Sequence, residues 1–206
     1  MNISELVNHI HSGDLTLKDD EVHIWYGCNT PAYRYMEMMR RVISDYELNK
    51  AYKFFFSRDR ERFIIIRAVL RILISKYQNV GINEIRYMKN NFGKPYIMVP
   101  KGHAPLKFNI SHSNSAFIMA FTRNREIGVD IEKIRSDFPA ENIARLFFSR
   151  SEIEELLQMQ GRQLTKAFFG CWTKKEAYIK AKGMGLSIDL SSFDVSVAAD
   201  KPAQLI

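Results

Sequence analysis

Two short segments, separated by residues 133–171, constrain this chain more than any other feature: Gly128-Val-Asp-Ile-Glu132 and Trp172-Thr-Lys-Lys-Glu-Ala-Tyr-Ile-Lys180. The first predicts a strand over Ile127 to Ile131, with Asp130 and Glu132 two positions apart and so on one face. The second predicts a helix that sets Glu176 and Lys180 one turn apart. Three carboxylates beside a lysine make a hard-metal site next to an anion site, a combination that suits a magnesium-bound pyrophosphate. Two acids at i and i+2 repel each other and resist burial, and a bound cation removes both costs. The bland alternatives stay open. Asp-x-Glu also fits a strand edge with two solvated carboxylates, and Glu176–Lys180 also fits an exposed ion pair worth roughly 0.3–0.5 kcal/mol.

Composition narrows the class. The 206 residues suffice for one large domain or two small ones, and 46% hydrophobic content supports a packed core. With 30 basic against 23 acidic side chains, the net charge of +7 favours a polyanionic partner without choosing one. Cys28 and Cys171 lack metal-ligand spacing and read as buried core thiols. The start, MNISELVNHIHSGDL, has no basic run followed by an apolar one, and no window approaches the roughly 20 apolar residues of a membrane helix. A cytoplasmic protein with no membrane contact is expected.

The order of elements is mixed. Strands are predicted at Val22 to Tyr26, Ile85 to Met88, Pro95 to Val99, Leu106 to Ile110, Ala116 to Thr122 and Ser192 to Val197. Helices are predicted around Met36 to Tyr46, from an N-cap at Ser57 to about Tyr77, after a Ser149–Glu152 capping box, and from near Gln163 to a stop at Gly183. Few clean βαβ units appear, so an α+β fold is expected rather than a doubly wound sheet. Each half is expected to have a long helix followed by strands, with an aromatic-rich approach (Phe54-Phe-Phe56, then Phe168-Phe169), a faint sign of duplication.

Further segments carry polar chemistry. Phe108-Asn-Ile-Ser-His-Ser113 ends a strand in small polar residues, where His112 and neighbouring N–H groups can donate to a phosphate. Phe92-Gly-Lys-Pro-Tyr96 reads as a tight turn presenting Lys94, and it does not match a Walker loop. The helix around Glu176 crowds Lys174, Lys175, Lys180 and Lys182 together, more than Glu176 alone can balance.

In this order, FGKPY (Phe92 to Tyr96), FNISHS (Phe108 to Ser113), GVDIEK (Gly128 to Lys133), FFSRSEIEEL (Phe147 to Leu156) and WTKKEAYIKAKGMGLS (Trp172 to Ser187) resemble the Sfp-type 4′-phosphopantetheinyl transferases. KFFFSRDRER (Lys53 to Arg62) fits more weakly. The resemblance implies a pseudo-two-fold, duplicated α+β fold with the active site between two similar halves, here 1–126 and 127–206. It implies transfer of the phosphopantetheine arm of coenzyme A to a serine of an apo acyl or peptidyl carrier protein, releasing 3′,5′-ADP, as in enzymes of the holo-acyl-carrier-protein synthase type. Its metal carboxylates fall on Asp130, Glu132 and Glu176, for magnesium or manganese. Its coenzyme A contacts fall on Lys94, Ser111, His112, Lys175 and Lys180, and less directly on Lys50 and Arg62. Glu176, Lys180 and Asp130 become the candidate catalytic groups, with Glu176 the candidate base.

A monomer is expected from the two-half architecture. The stretch Ile134 to Arg150, with Arg135, Arg145 and Arg150 among Phe138, Ile143, Leu146 and Phe147, is the expected carrier docking face. Members of the family continue past Phe193 to Val197, so the second half is expected to be about 30–40 residues short, the length of a hairpin or two. Three competing readings remain: a different magnesium-dependent phosphate enzyme, a non-catalytic carrier-protein binder, and a nucleic-acid binding module. The last lacks a reading helix or RNP-like strand, so no nucleic-acid partner is expected.

Overall fold

A 22-residue helix runs through each half of the chain: α3 (Ser57–Gln78) in the first and α6 (Gly161–Lys182) in the second. The computed structural model describes residue 5 and residues 15–28, 33–98, 105–198 and 203–206. Val99, the last residue of one expected strand, lies outside these.

In the first half, β1 (Val22–Cys28), β4 (Leu106–Ser113) and β5 (Ala116–Arg123) form an antiparallel sheet in the order β1-β5-β4. A short β2–β3 hairpin (Tyr87–Lys89 and Pro95–Ile97) stands beside it. Trp25, Phe108, Phe117, Met119 and Phe121 point from the sheet into one core with the buried residues of α3. Phe63, Ile66, Val69, Leu70, Leu73 and Tyr77 follow a 3.6-residue period along α3 and face the core, and the buried face is wider than this stripe. Ile64, Ile65, Ala68, Ile72 and Ile74 are buried as well, because α1 (Tyr33–Val42) and α2 (Asp45–Tyr52) cover the side away from the sheet.

The second half is helical: α4 (Ala140–Phe147), α5 (Arg150–Leu156) and α6. Phe138, Phe148, Phe168, Phe169 and Trp172 interleave in its core, Phe148 stacking on Phe168 at 5.2 Å. The Ser149–Glu152 capping box is present, and Gly183 (φ 70°) closes α6 in the left-handed region.

Several expectations are corrected. The helix expected over Met36 to Tyr46 breaks at Ser44, whose side chain caps α2 in a second capping box with Glu47. Ser57 is the first helical residue of α3 rather than its cap, since Phe56 holds the extended N-cap position without a side-chain bond. The strand expected at Ile85 begins two residues later, after a 3₁₀ turn over Ile82–Glu84. Ser192 to Val197 forms no strand. Its β pairing is an isolated bridge from Val195 to Leu205. Cys28 is exposed and only Cys171 is buried. Burial pushes the Cys171 thiol far above its ordinary value, with the Glu152 carboxylate adding to the rise, so it stays protonated. No helix among the described residues is long and apolar enough to cross a membrane.

Candidate active site at the seam between the halves

Residues 127–133 join no backbone ladder, which corrects the expected strand. Side chains of β4 hold this segment instead. Asn109 Oδ1 accepts from Val129 N at 3.0 Å. Ser111 Oγ donates to Asp130 Oδ1 at 2.7 Å. Ser113 Oγ donates to Glu132 Oε2 at 2.8 Å and accepts from Lys133 N at 3.0 Å. Positions 109, 111 and 113 share one face because side chains alternate along a strand. The comb therefore follows from Asn-Ile-Ser-His-Ser itself. Asn109 was not singled out from the sequence, although the same period-2 reading reaches it.

The other side of the segment lies on α6. A Cβ on Gly128 would stand 1.9 Å from the Ala177 carbonyl oxygen and 2.4 Å from Ala181 N, so only glycine permits this approach. The contact brings Asp130 under Lys180, whose Nζ donates to Asp130 Oδ1 at 2.5 Å and to Ser111 Oγ at 3.0 Å. Lys180 thus pairs across the seam rather than with Glu176 in its own helix. Asp130 has a side chain only 4% exposed, and its second oxygen, Oδ2, is buried with no hydrogen-bond partner. An orphaned carboxylate oxygen of that kind fits a cation donor.

Glu176 stands near both acids. Burial is the main cause that lifts its pKa above the ordinary value; the Lys180 charge opposes the rise, and the charges of Asp130 and Glu132 add to it. Among the described residues, no three acidic, histidine or cysteine side chains already converge as a metal cage. The Lys180 ammonium supplies the neutralising charge at Asp130 Oδ1, and Oδ2 is left without a partner. The donor set of Asp130, Glu132 and Glu176 fits magnesium or manganese by its all-oxygen chemistry.

The opposite face of β4 belongs to a cleft of about 920 Å³ between α2, α3 and the β2–β3 hairpin. Ile110 and His112 reach it from β4, and Lys50 and Arg62 reach it from the helices. The sequence-predicted Lys50, Arg62 and His112 therefore share one wall system. Arg86 and Lys89, which the sequence reading passed over, also line it. Lys50 lies 5.5 Å from the Phe63 ring centre, and Arg62 is held by Asp59 (2.5 Å) and the Asn114 carbonyl (3.1 Å). Desolvation lowers the pKa of His112, and the nearby Arg62 and Lys180 charges lower it further, so its imidazole is neutral at pH 7. The Ser111–Ser113 end of β4 is where cleft and acids meet.

Two predicted contacts go elsewhere. Gly93 and Pro95 line the cleft, but Lys94 turns to the seam and donates to Glu126 Oε2 (2.8 Å), the Ala181 carbonyl (2.9 Å) and the Ile127 carbonyl (3.3 Å). A cation on the last carbonyls of α6 is also favourable to that helix dipole. Asn90 Nδ2 adds a bond to the Gly183 carbonyl at 2.6 Å. Lys175 is fully buried, paired with Glu152 at 2.8 Å and bonded to the Leu190 and Phe193 carbonyls at 2.6 Å each. Lys174 donates to the Ser196 carbonyl at 2.6 Å, and Lys182 lies 5.3 Å from the Tyr178 ring centre. Of the four crowded lysines, Lys180 alone reaches the acids. In the expected docking stretch, Phe138 and Ile143 pack in the core, while Leu146 is 72% exposed and Phe147 and Ile134 are also exposed.

Two family models match in tandem: "4′-phosphopantetheinyl transferase, N-terminal" over residues 28–124 and "4′-phosphopantetheinyl transferase superfamily" over residues 126–206. Among curated proteins, 4′-phosphopantetheinyl transferase HetI of Nostoc is 34% identical over 93% of this chain and 81% of its own length. 4′-phosphopantetheinyl transferase Sfp of Bacillus subtilis is 34% identical over 80% of this chain and 70% of its own. The mouse L-aminoadipate-semialdehyde dehydrogenase-phosphopantetheinyl transferase is 28% identical over 83% and 59%.

Proposed function

Because the chain belongs to the 4′-phosphopantetheinyl transferase superfamily, we propose that it moves the phosphopantetheine arm of coenzyme A onto a serine of an apo acyl or peptidyl carrier protein. The observation that carries the reading is the junction at β4. One face presents His112 to a cationic cleft, and the other ties Ser111 to Asp130 and Lys180.

In this reading the cleft takes the 3′-phospho-ADP end of coenzyme A, with Lys50 and Arg62 offering positive charge and neutral His112 an N–H. The diphosphate lies at the Ser111–Ser113 end of β4, beside Lys180. The carrier serine Oγ attacks the β-phosphorus, the bond from that phosphorus to the bridging oxygen breaks, and 3′,5′-ADP leaves with the bond electrons. Glu176, whose burial raises its basicity, accepts the serine proton. Asp130, Glu132 and Glu176 would hold a magnesium or manganese ion, which when bound neutralises charge on the diphosphate oxygens. Lys180 holds Asp130 in place and adds field at the transferring group.

The carrier docks over Ile134, Leu146 and Phe147, where exposed apolar surface stands among Arg135, Arg145 and Arg150. Their charge suits the acidic surface of a carrier. Isothermal titration of coenzyme A tests the reading. Uptake should strengthen with magnesium in the natural chain and lose that gain in Asp130→Ala. Equal uptake with and without magnesium in both proteins would count against the acid site.

A further inference from the structure

The two acids of the 127–133 segment are not held alike. Asp130 is short, buried and gripped by two donors, Ser111 and Lys180. Glu132 is exposed, has a longer and freer side chain, and among the described residues bonds to one hydroxyl, that of Ser113. The direction of that hydroxyl is set by the backbone. Ser113 Oγ accepts the Lys133 N–H at 3.0 Å, which occupies an oxygen lone pair and turns the single O–H proton toward Glu132 Oε2 at 2.8 Å. Ser113 is itself fixed. It closes β4 opposite Ala116, next to a tight turn whose Asn114 sits at φ 52°. One side chain therefore registers the segment through Lys133 and aims the carboxylate through Glu132.

We propose that Ser113 is a positioning residue that presents Glu132 to a divalent cation with Oε2 committed to the hydroxyl and Oε1 free. Asp130 is presented in the same one-oxygen manner, its Oδ1 bonded and its Oδ2 open. The matched pattern makes two single-oxygen donors on one segment, each set by a serine of the facing strand. Hydroxyls that orient a ligating carboxylate typically govern metal affinity by about 10–100-fold. The inference rests on the acid-site reading above.

The test is manganese uptake, followed by the electron paramagnetic resonance of the free ion, in five proteins: natural chain, Ser113→Ala, Ser113→Thr, Glu132→Gln and the double variant Ser113→Ala with Glu132→Gln. Ser113→Ala should weaken uptake by about 10–100-fold. Ser113→Thr, which keeps the hydroxyl, should restore it. In a Glu132→Gln background, adding Ser113→Ala should cost little more, because the effect runs through that carboxylate. Natural-strength uptake by Ser113→Ala, or a full further loss in the Glu132→Gln background, overturns the role of Ser113 while leaving the acid site standing. No uptake by the natural chain overturns the acid site and this inference together.

Discussion

The two halves solve one problem with the same parts and different degrees of closure. Each has a serine-glutamate capping box whose glutamate is buried and pairs with a cation on its 22-residue helix: Ser44 and Glu47 with Arg67 and Arg71 of α3, Ser149 and Glu152 with Lys175 of α6. In each copy one cation also reaches a carbonyl past the helix end, Arg71 at Ile82 and Lys175 at Leu190 and Phe193. This shared unit is the physical content of the duplication. The difference lies in what surrounds it. Glu47, Arg67 and Arg71 line the cleft, and two guanidiniums share one carboxylate. Lys175 and Glu152 are 0% and 2% exposed. The first copy supports a ligand wall, and the second is sealed so that α6 can present Glu176 and Lys180 from a fixed base.

The largest effect should come from breaking the sealed copy. Lys175→Met leaves Glu152 buried and unpaired and should cost about 3–5 kcal/mol in a denaturant melt. A loss near zero would mean that the C-terminal pair is not structural. Arg71→Met in the open copy should cost less, about 1.5–3 kcal/mol, because Arg67 still pairs with Glu47. Equal losses would erase the contrast between the copies.

Gly128→Ala tests the seam. The new methyl meets the α6 backbone, so a cost of about 1–3 kcal/mol is expected together with weaker coenzyme A uptake in magnesium. Lys94→Met sharpens the line between latch and ligand. As a latch it should lower stability by about 1 kcal/mol and leave metal-free coenzyme A affinity unchanged. A weakened affinity would return Lys94 to the cleft.

The smallest effect is a titration. Glu176, followed by carbon-13 resonance in the metal-free protein, should titrate above its ordinary value of 4.5. Asp130→Asn should move it down and Lys180→Met should move it up. Because the folded-state value is raised, the stabilising contribution of Glu176 is present below pH 4.5 and is lost as the pH rises through the folded value.

Much of this was legible from residue order because it rests on local rules. The α6 helix, its glycine stop, the Ser149 box and the sheet of β1, β4 and β5 follow from period and capping. Other features depend on partners that no local pattern names. Lys175 and Lys180 look alike in sequence, yet one is sealed against Glu152 and the other bridges to Asp130. Which face of α6 meets the core decides this, and Glu152 gives no signal of its burial beyond its cap. Residues 127–131 read as a strand because β-branched Ile127, Val129 and Ile131 alternate along them, but the partners of this segment are the side chains of Asn109, Ser111 and Ser113, which period alone does not reveal. Ser44 fits the same rule as Ser149 and lies inside a run that otherwise reads as one helix. Lys94 was placed by its turn, whereas its acceptors come from α6 in the other half.

The central claim is that the seam between these halves is one transfer site, and intact mass tests it most directly. The chain is incubated with magnesium, coenzyme A and a panel of apo carrier proteins, beside Asp130→Ala as the matched control. The account predicts that at least one carrier gains the mass of one phosphopantetheine arm with the natural chain and none with the variant. Equal modification by both proteins, or no gain on any carrier from a chain that binds coenzyme A, would contradict it.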